Sequence, residues 1–95
     1  MIEVIVVRHF LPENTEDAAR LLGELRRREV QQVGCVTGDI LWSVDDPSLW
    51  VDISTWTYSD QWKKWESSDG YAELRGKMQN LLITTEEVIT LKVFK

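Results

Sequence analysis

The chain of 95 residues predicts an α+β domain of the ferredoxin-like kind, in the order strand, helix, strand, strand, helix, strand. Three features carry that expectation. The opening run IEVIVVRHF, residues 2–10, is rich in β-branched residues. Two further strand-like runs flank the turn sequence Asp45-Asp46-Pro47-Ser48. Finally, two stretches repeat apolar residues three and four apart, as the buried stripe of a helix does.

Taken in order, residues 2–10 are apolar on both faces, which suits a covered strand rather than an edge. LPEN breaks that pattern, and Asn14 or Thr15 can cap a helix that continues to about Gln31. Glu16 and Asp17 favour its first turn through the helix dipole. Ala18, Leu21, Leu22 and Leu25 form its buried stripe. Strand composition returns from Cys35 to Val44 and again from Leu49 to Thr57. In the turn between them, aspartates bond the backbone and Pro47 fixes φ, so a hairpin is expected. The second hairpin strand puts Trp50, Asp52, Ser54 and Trp56 on one face and Val51 and Ile53 on the other. Its mixed polar and aromatic face does not read as a plain core face.

Ser59 is placed to cap a short helix carrying Trp62 and Trp65, and Ser67-Ser68-Asp69 mark a break. From about Gly70 to Leu82, Leu74, Met78 and Leu81 recur at helical spacing. Residues 87–94 alternate as a last strand, with Val88, Thr90, Lys92 and Phe94 opposite Ile89, Leu91 and Val93. Helices would cover one face of the four-stranded sheet. Nothing remains in so short a chain to cover the other, so a homodimer with its sheets face to face is expected.

The bulk composition bounds the function. A chain of this length is a single domain, residues 1–95, and buries only about 60–65% of its unfolded surface. Eleven basic against sixteen acidic side chains leave a net charge of -5, which argues against nucleic acid as a partner. Arg26, Arg27 and Arg28 are contiguous but flanked by Glu24 and Glu29, and read as a solvated helix face. Cys35 is the only cysteine, so no intrachain disulfide can form and a reducing, cytoplasmic compartment is expected. The opening apolar run is too short for a signal peptide or a membrane span.

The stretch SVDDPSLWVDISTWTYSDQWKKWESSDGY, residues 43–71, resembles the antibiotic biosynthesis monooxygenase (ABM) family of the dimeric α/β-barrel superfamily. The likeness rests on the hairpin Ser43 to Pro47, the strand end Ile53 to Trp56, and the helix pattern of Trp62 with Trp65. It implies a dimeric α/β barrel and two kinds of chemistry. One is cofactor-free oxygenation of small aromatic or polyketide-like molecules. The other is haem degradation, for which the resemblance asks for an Asn and a His where this chain has Val7 and Arg75. Arginine stays protonated and offers iron no lone pair. His9, the sole histidine, lies on the first strand.

The oxygenase pattern carries over onto Gln61, Trp65 and Tyr71, with Gln61 in place of the family's Asn. On this reading the Gln61 amide binds a substrate oxygen and the Trp65 indole stacks on the ring. Tyr71 exchanges a proton, and Arg75, a turn further on, stabilises a phenolate. The substrate anion itself would reduce oxygen, so neither metal nor organic cofactor is expected. A non-catalytic dimer binding a small apolar molecule fits the same residues. So does a packing role: Trp62 and Trp65 between helix and sheet, Trp56 at a buried corner, Trp42 and Trp50 at a dimer interface. Asp52, if buried, would need a partner and become a candidate base; otherwise it reaches solvent or a backbone amide.

Overall fold

Strand β1 (Ile2–His9) lies in the middle of one antiparallel sheet, in a computed structural model that describes residues 1–94. It pairs with β3 (Leu49–Trp56) on one side and β4 (Glu87–Lys92) on the other, while β2 (Cys35–Trp42) pairs with β3 at the edge. The order β2-β3-β1-β4 is the ferredoxin-like arrangement. The apolar first run is therefore central, as its composition requires. A register shift between Cys35 and Thr37 marks a bulge in β2.

Helices α1 (Thr15–Glu29), α2 (Ser59–Glu66) and α3 (Asp69–Met78) cover one face. The stripe of α1 is as expected, Ala18, Leu21, Leu22 and Leu25, with Glu29 buried at its end. Neither Asn14 nor Thr15 caps it through a side chain. A 3-10 turn, Pro12–Asn14, leads straight into the helix, and the Thr15 hydroxyl donates to the Pro12 carbonyl at 2.6 Å. At α2 it is not Ser59 but Gln61 that satisfies the start, its Oε1 accepting the Tyr58 N–H at 3.0 Å. Ser68 caps α3, its Oγ accepting the Tyr71 N–H at 3.2 Å. The second helical stretch ends as α3 at Met78 and tightens into a 3-10 turn, Gln79–Leu81. The last strand stops at Lys92, two residues short of the expected Phe94.

The hairpin turn closes through its own side chains. Asp46 Oδ1 accepts from the Ser48 N–H and hydroxyl, and Ser43 Oγ accepts from the Asp45 and Asp46 amides. Trp42 Nε1 donates to the Pro47 carbonyl at 2.8 Å.

One expectation about faces is corrected by the register. Trp50, Asp52, Ser54 and Trp56 stand opposite Arg8, Val6, Val4 and Ile2, and all eight are buried beneath the helices. This face is the core. Trp50 stacks on Trp42 at 4.9 Å and belongs to the helix side rather than the open side, where a sheet-to-sheet contact would form. Trp56, fully buried, meets Trp62 edge-on at 5.9 Å, and Trp62 and Trp65 both meet Tyr71 edge-on. A buried indole removes about 200 Å² from water, roughly 5 kcal/mol before entropy is counted. A 95-residue fold leans on such residues. The crowding of tryptophan therefore builds the contact between α2, α3 and the sheet. The opposite face carries Ile5, Val7, Val51, Ile53 and Ile89, and among the described residues no element lies over it.

Candidate functional site

The core face is not apolar throughout, because β1 and β3 each turn a charge into it. Arg8 and Asp52 are 1% and 2% exposed. Arg8 Nη1 lies 3.7 Å from Asp52 Oδ2, its Nε donates to Glu86 Oε2 at 2.8 Å, and its Nη2 donates to the Tyr71 hydroxyl at 3.3 Å. Glu86, just ahead of β4, also forms an ion pair with Arg75, whose Nε lies 2.9 Å from Glu86 Oε1. Arg75 lies over the Tyr71 ring, 5.9 Å from its centroid. Glu29 completes the group from the end of α1, buried beside Asp52 and Ser54.

Burial governs the protonation of this cluster. It pushes Glu29 up to about 8, and the nearby Asp52 charge adds to the push, while Ser54 and Arg8 oppose it. Burial also pushes Asp52 up, to about 6, against the pull of Arg8. Both Glu29 carboxyl oxygens and Asp52 Oδ1 are buried without a hydrogen-bond donor. A proton shared by the two acids relieves that state, since a carboxyl can donate where a carboxylate cannot. Burial raises the Tyr71 phenol far above its usual value, so it stands here as a neutral hydrogen-bonding group.

The four residues carried over from the resemblance are close to one another but do not line a single cavity. Gln61 and Trp65 open on a small cavity of about 210 Å³ with Gln32, Val33 and Lys64. Gln61 is tied by its oxygen to the start of α2, and its carboxamide fills the space above Gly34, which holds φ at +90°. Tyr71 is 1% exposed and lines neither cavity. Arg75 opens on the far side, where a cavity of about 600 Å³ lies between α3 and the segment leading to β4. Glu86, Thr84, Thr85 and Gln79 share that wall. Val7 stands on the open sheet face opposite Val51, and Arg75 is held by Glu86.

Arg8 and Glu86 escaped the reading of the sequence. Arg8 continues the inward alternation of Ile2, Val4 and Val6, and a charge at such a position signals a buried partner. Glu86 lies outside any periodic segment, so no spacing pointed to its burial. Asp52 is buried with a partner and raised, the condition that made it a base candidate. Among the described residues no group of His, Cys, Asp and Glu is arranged to hold a metal, and no helix is long and apolar enough to cross a membrane.

A ferredoxin-like sheet with one helical layer and a charged cleft beside it defines the class, a small α+β domain. The antibiotic biosynthesis monooxygenase family model matches residues 1–77, and the chain belongs to that family. Among solved structures it is similar to an antibiotic biosynthesis monooxygenase, at 19% identity and a TM-score of 0.93 over the whole of both chains. A protein of Mycobacterium tuberculosis matches at 19% identity and a TM-score of 0.90, over 99% of this chain and 95% of that one. A conserved protein of Methanosarcina mazei matches at 16% and 0.90, over 96% and 90%. At these identities the likeness is one of fold. No curated protein matches the chain in sequence.

Proposed function

We propose that this protein is a cofactor-independent monooxygenase of small aromatic or polyketide-like molecules, held in the cleft beside Arg75. One observation carries the reading. Arg75, half-exposed, stands on the wall of a cavity of about 600 Å³ while its guanidinium is anchored through Glu86 to buried Arg8. A cation so placed favours the ionised form of a phenol or enol, and an ionised ring is the electron-rich species that reacts with oxygen. In such a reaction the substrate loses a proton and its carbanionic carbon donates an electron pair to dioxygen, forming a hydroperoxide. Loss of the second C–H proton and cleavage of the O–O bond release water and leave a carbonyl. The CH₂ carbon supplies four electrons, and oxygen ends as one water and one carbonyl.

In the same reading Trp65 and Gln61 hold the shape of α2 against Tyr71, and Tyr71 keeps Arg8 and Arg75 in register. Oxygen uptake with anthrone and with 1-naphthol, whose keto tautomer has the same CH₂ carbon, tests the proposal. Uptake should fall at least tenfold in Arg75→Gln and fall less in Trp65→Phe and Tyr71→Phe. No uptake above the uncatalysed rate with any of these substrates would exclude it. A second reading, a non-catalytic binding protein, is favoured by one feature: Trp65 and Tyr71 do not reach the larger cavity.

The assembly proposed is a homodimer. Ile5, Val7, Val51, Ile53, Ile89 and Leu91 form an apolar sheet face, and a second copy would cover it symmetrically.

A further inference from the structure

The charges around Arg8 do not balance unless one acid is neutral. Two guanidiniums, Arg8 and Arg75, face three carboxyls, Glu29, Asp52 and Glu86. With one proton on the Glu29–Asp52 pair, two positive charges meet two negative ones. That pair is the place for the proton, because three of its four oxygens are buried without a donor. Glu86, in contrast, accepts from Arg8 on one oxygen and is ion-paired with Arg75 through the other. The other elements packed around the pair add no competing base: β2 brings Cys35, α2 turns only Trp62 and Trp65 inward, and α3 brings the neutral Tyr71.

The only member of the cluster that is half-exposed is Arg75, and it is also the member on the cavity wall. A ligand anion arriving there would bring a third negative charge to a balanced cluster. We propose that the cavity beside Arg75 binds a small aromatic monoanion, a carboxylate or phenolate that takes Arg75 from Glu86. Each molecule bound adds one proton to the Glu29–Asp52 pair. When Arg75 turns to the ligand, Glu86 keeps its bond to Arg8 at 2.8 Å. Arg8 then answers Glu86 alone, and Asp52, held only at 3.7 Å and with one oxygen unpartnered, becomes the acid that must be neutral. For a substrate that enters as a neutral phenol, the proton taken up is its own, so the pair acts as the proton store for ionising it. This deepens the reading of the cavity as the small-molecule site.

Titration calorimetry of the whole protein tests it without any oxygen chemistry. The probes are naphthalene-2-carboxylate and the neutral naphthalene-2-carboxamide, each in Tris and in Bis-Tris, which differ in protonation enthalpy. The carboxylate should bind at least tenfold more tightly, with a heat that differs between buffers by the amount for one proton absorbed near pH 7. Its Kd should rise towards tenfold per pH unit above that. Asp52→Asn should remove the buffer dependence, and Arg75→Gln the preference for the anion. Equal binding of the carboxamide, no binding of either probe, or a buffer-independent heat would overturn the proposal. The wild-type measurement decides even if Asp52→Asn fails to fold. Proton-linked binding without oxygen uptake would instead leave this inference standing and exclude the oxygenase.

Discussion

Replacing Glu29 by glutamine should stabilise the protein at neutral pH and cost it roughly 1 kcal/mol at acid pH. Glu29 is 1% exposed, and its acid is raised from an ordinary 4.5 to about 8, chiefly by burial. A group raised in the folded state contributes stability that is whole below 4.5 and is lost as pH climbs to about 8. Across that window the fold gives up about 1.4 kcal/mol per pH unit, because the unfolded chain releases the proton and the folded one keeps it. By pH 7 the loss approaches about 3 kcal/mol. Glutamine has the shape of the protonated acid and never pays that proton, but leaves one N–H short of a partner at roughly 1 kcal/mol. The net gain near pH 7 is therefore about 2 kcal/mol, or roughly 8–16 °C in Tm for a domain of this size. Urea unfolding at fixed protein concentration, compared with wild type at pH 5 and pH 7.5, measures it. A glutamine variant that is less stable at pH 7.5, or whose advantage does not change with pH, would refute the assignment of a neutral Glu29.

Other outcomes follow from the same packing. Arg8→Met should cost about 3–5 kcal/mol in urea unfolding, because Asp52 and Glu86 lose their shared buried partner. Gln61→Ala and Gly34→Ala should each destabilise by roughly 1 kcal/mol or more, the first by losing the bond to Tyr58 and the second by strain at positive φ. Their double mutant should cost less than the sum, since a Cβ on Gly34 overlaps the Gln61 carboxamide. Ile53→Glu, on the open face, should shift sedimentation from dimer to monomer at micromolar concentration. Cys35, pushed up to about 11 by burial and by Glu29 and Asp52, should react with iodoacetamide at a rate still climbing at pH 10.

The fold was legible because each element carries a period that matches its neighbours. The stripe of α1, the turn chemistry at Asp46 and Ser48, and the β-branched run of β1 are all local signals. They point to one topology together. Helix starts were less legible. Ser59 has the composition of a cap, yet the bond comes from Gln61, since which side chain turns back depends on the space above Gly34. The same bond ties the amide, first read as a substrate contact, to the start of α2.

From its sequence alone this chain determined the ferredoxin-like order, the family likeness, and the presence of an acid on the strand face it shares with Trp50, Ser54 and Trp56. What only the tertiary structure decided is which face of β3 is the core, and who shares it. Arg8, Glu29, Asp52, Tyr71 and Glu86 come from five different segments and meet because strand register and helix packing bring them within hydrogen-bonding or ion-pair reach. No spacing along the chain encodes that meeting. Charge balance in a buried cluster depends on three-dimensional distance and on the exclusion of water, and neither exists until the sheet and its helices have closed over Arg8.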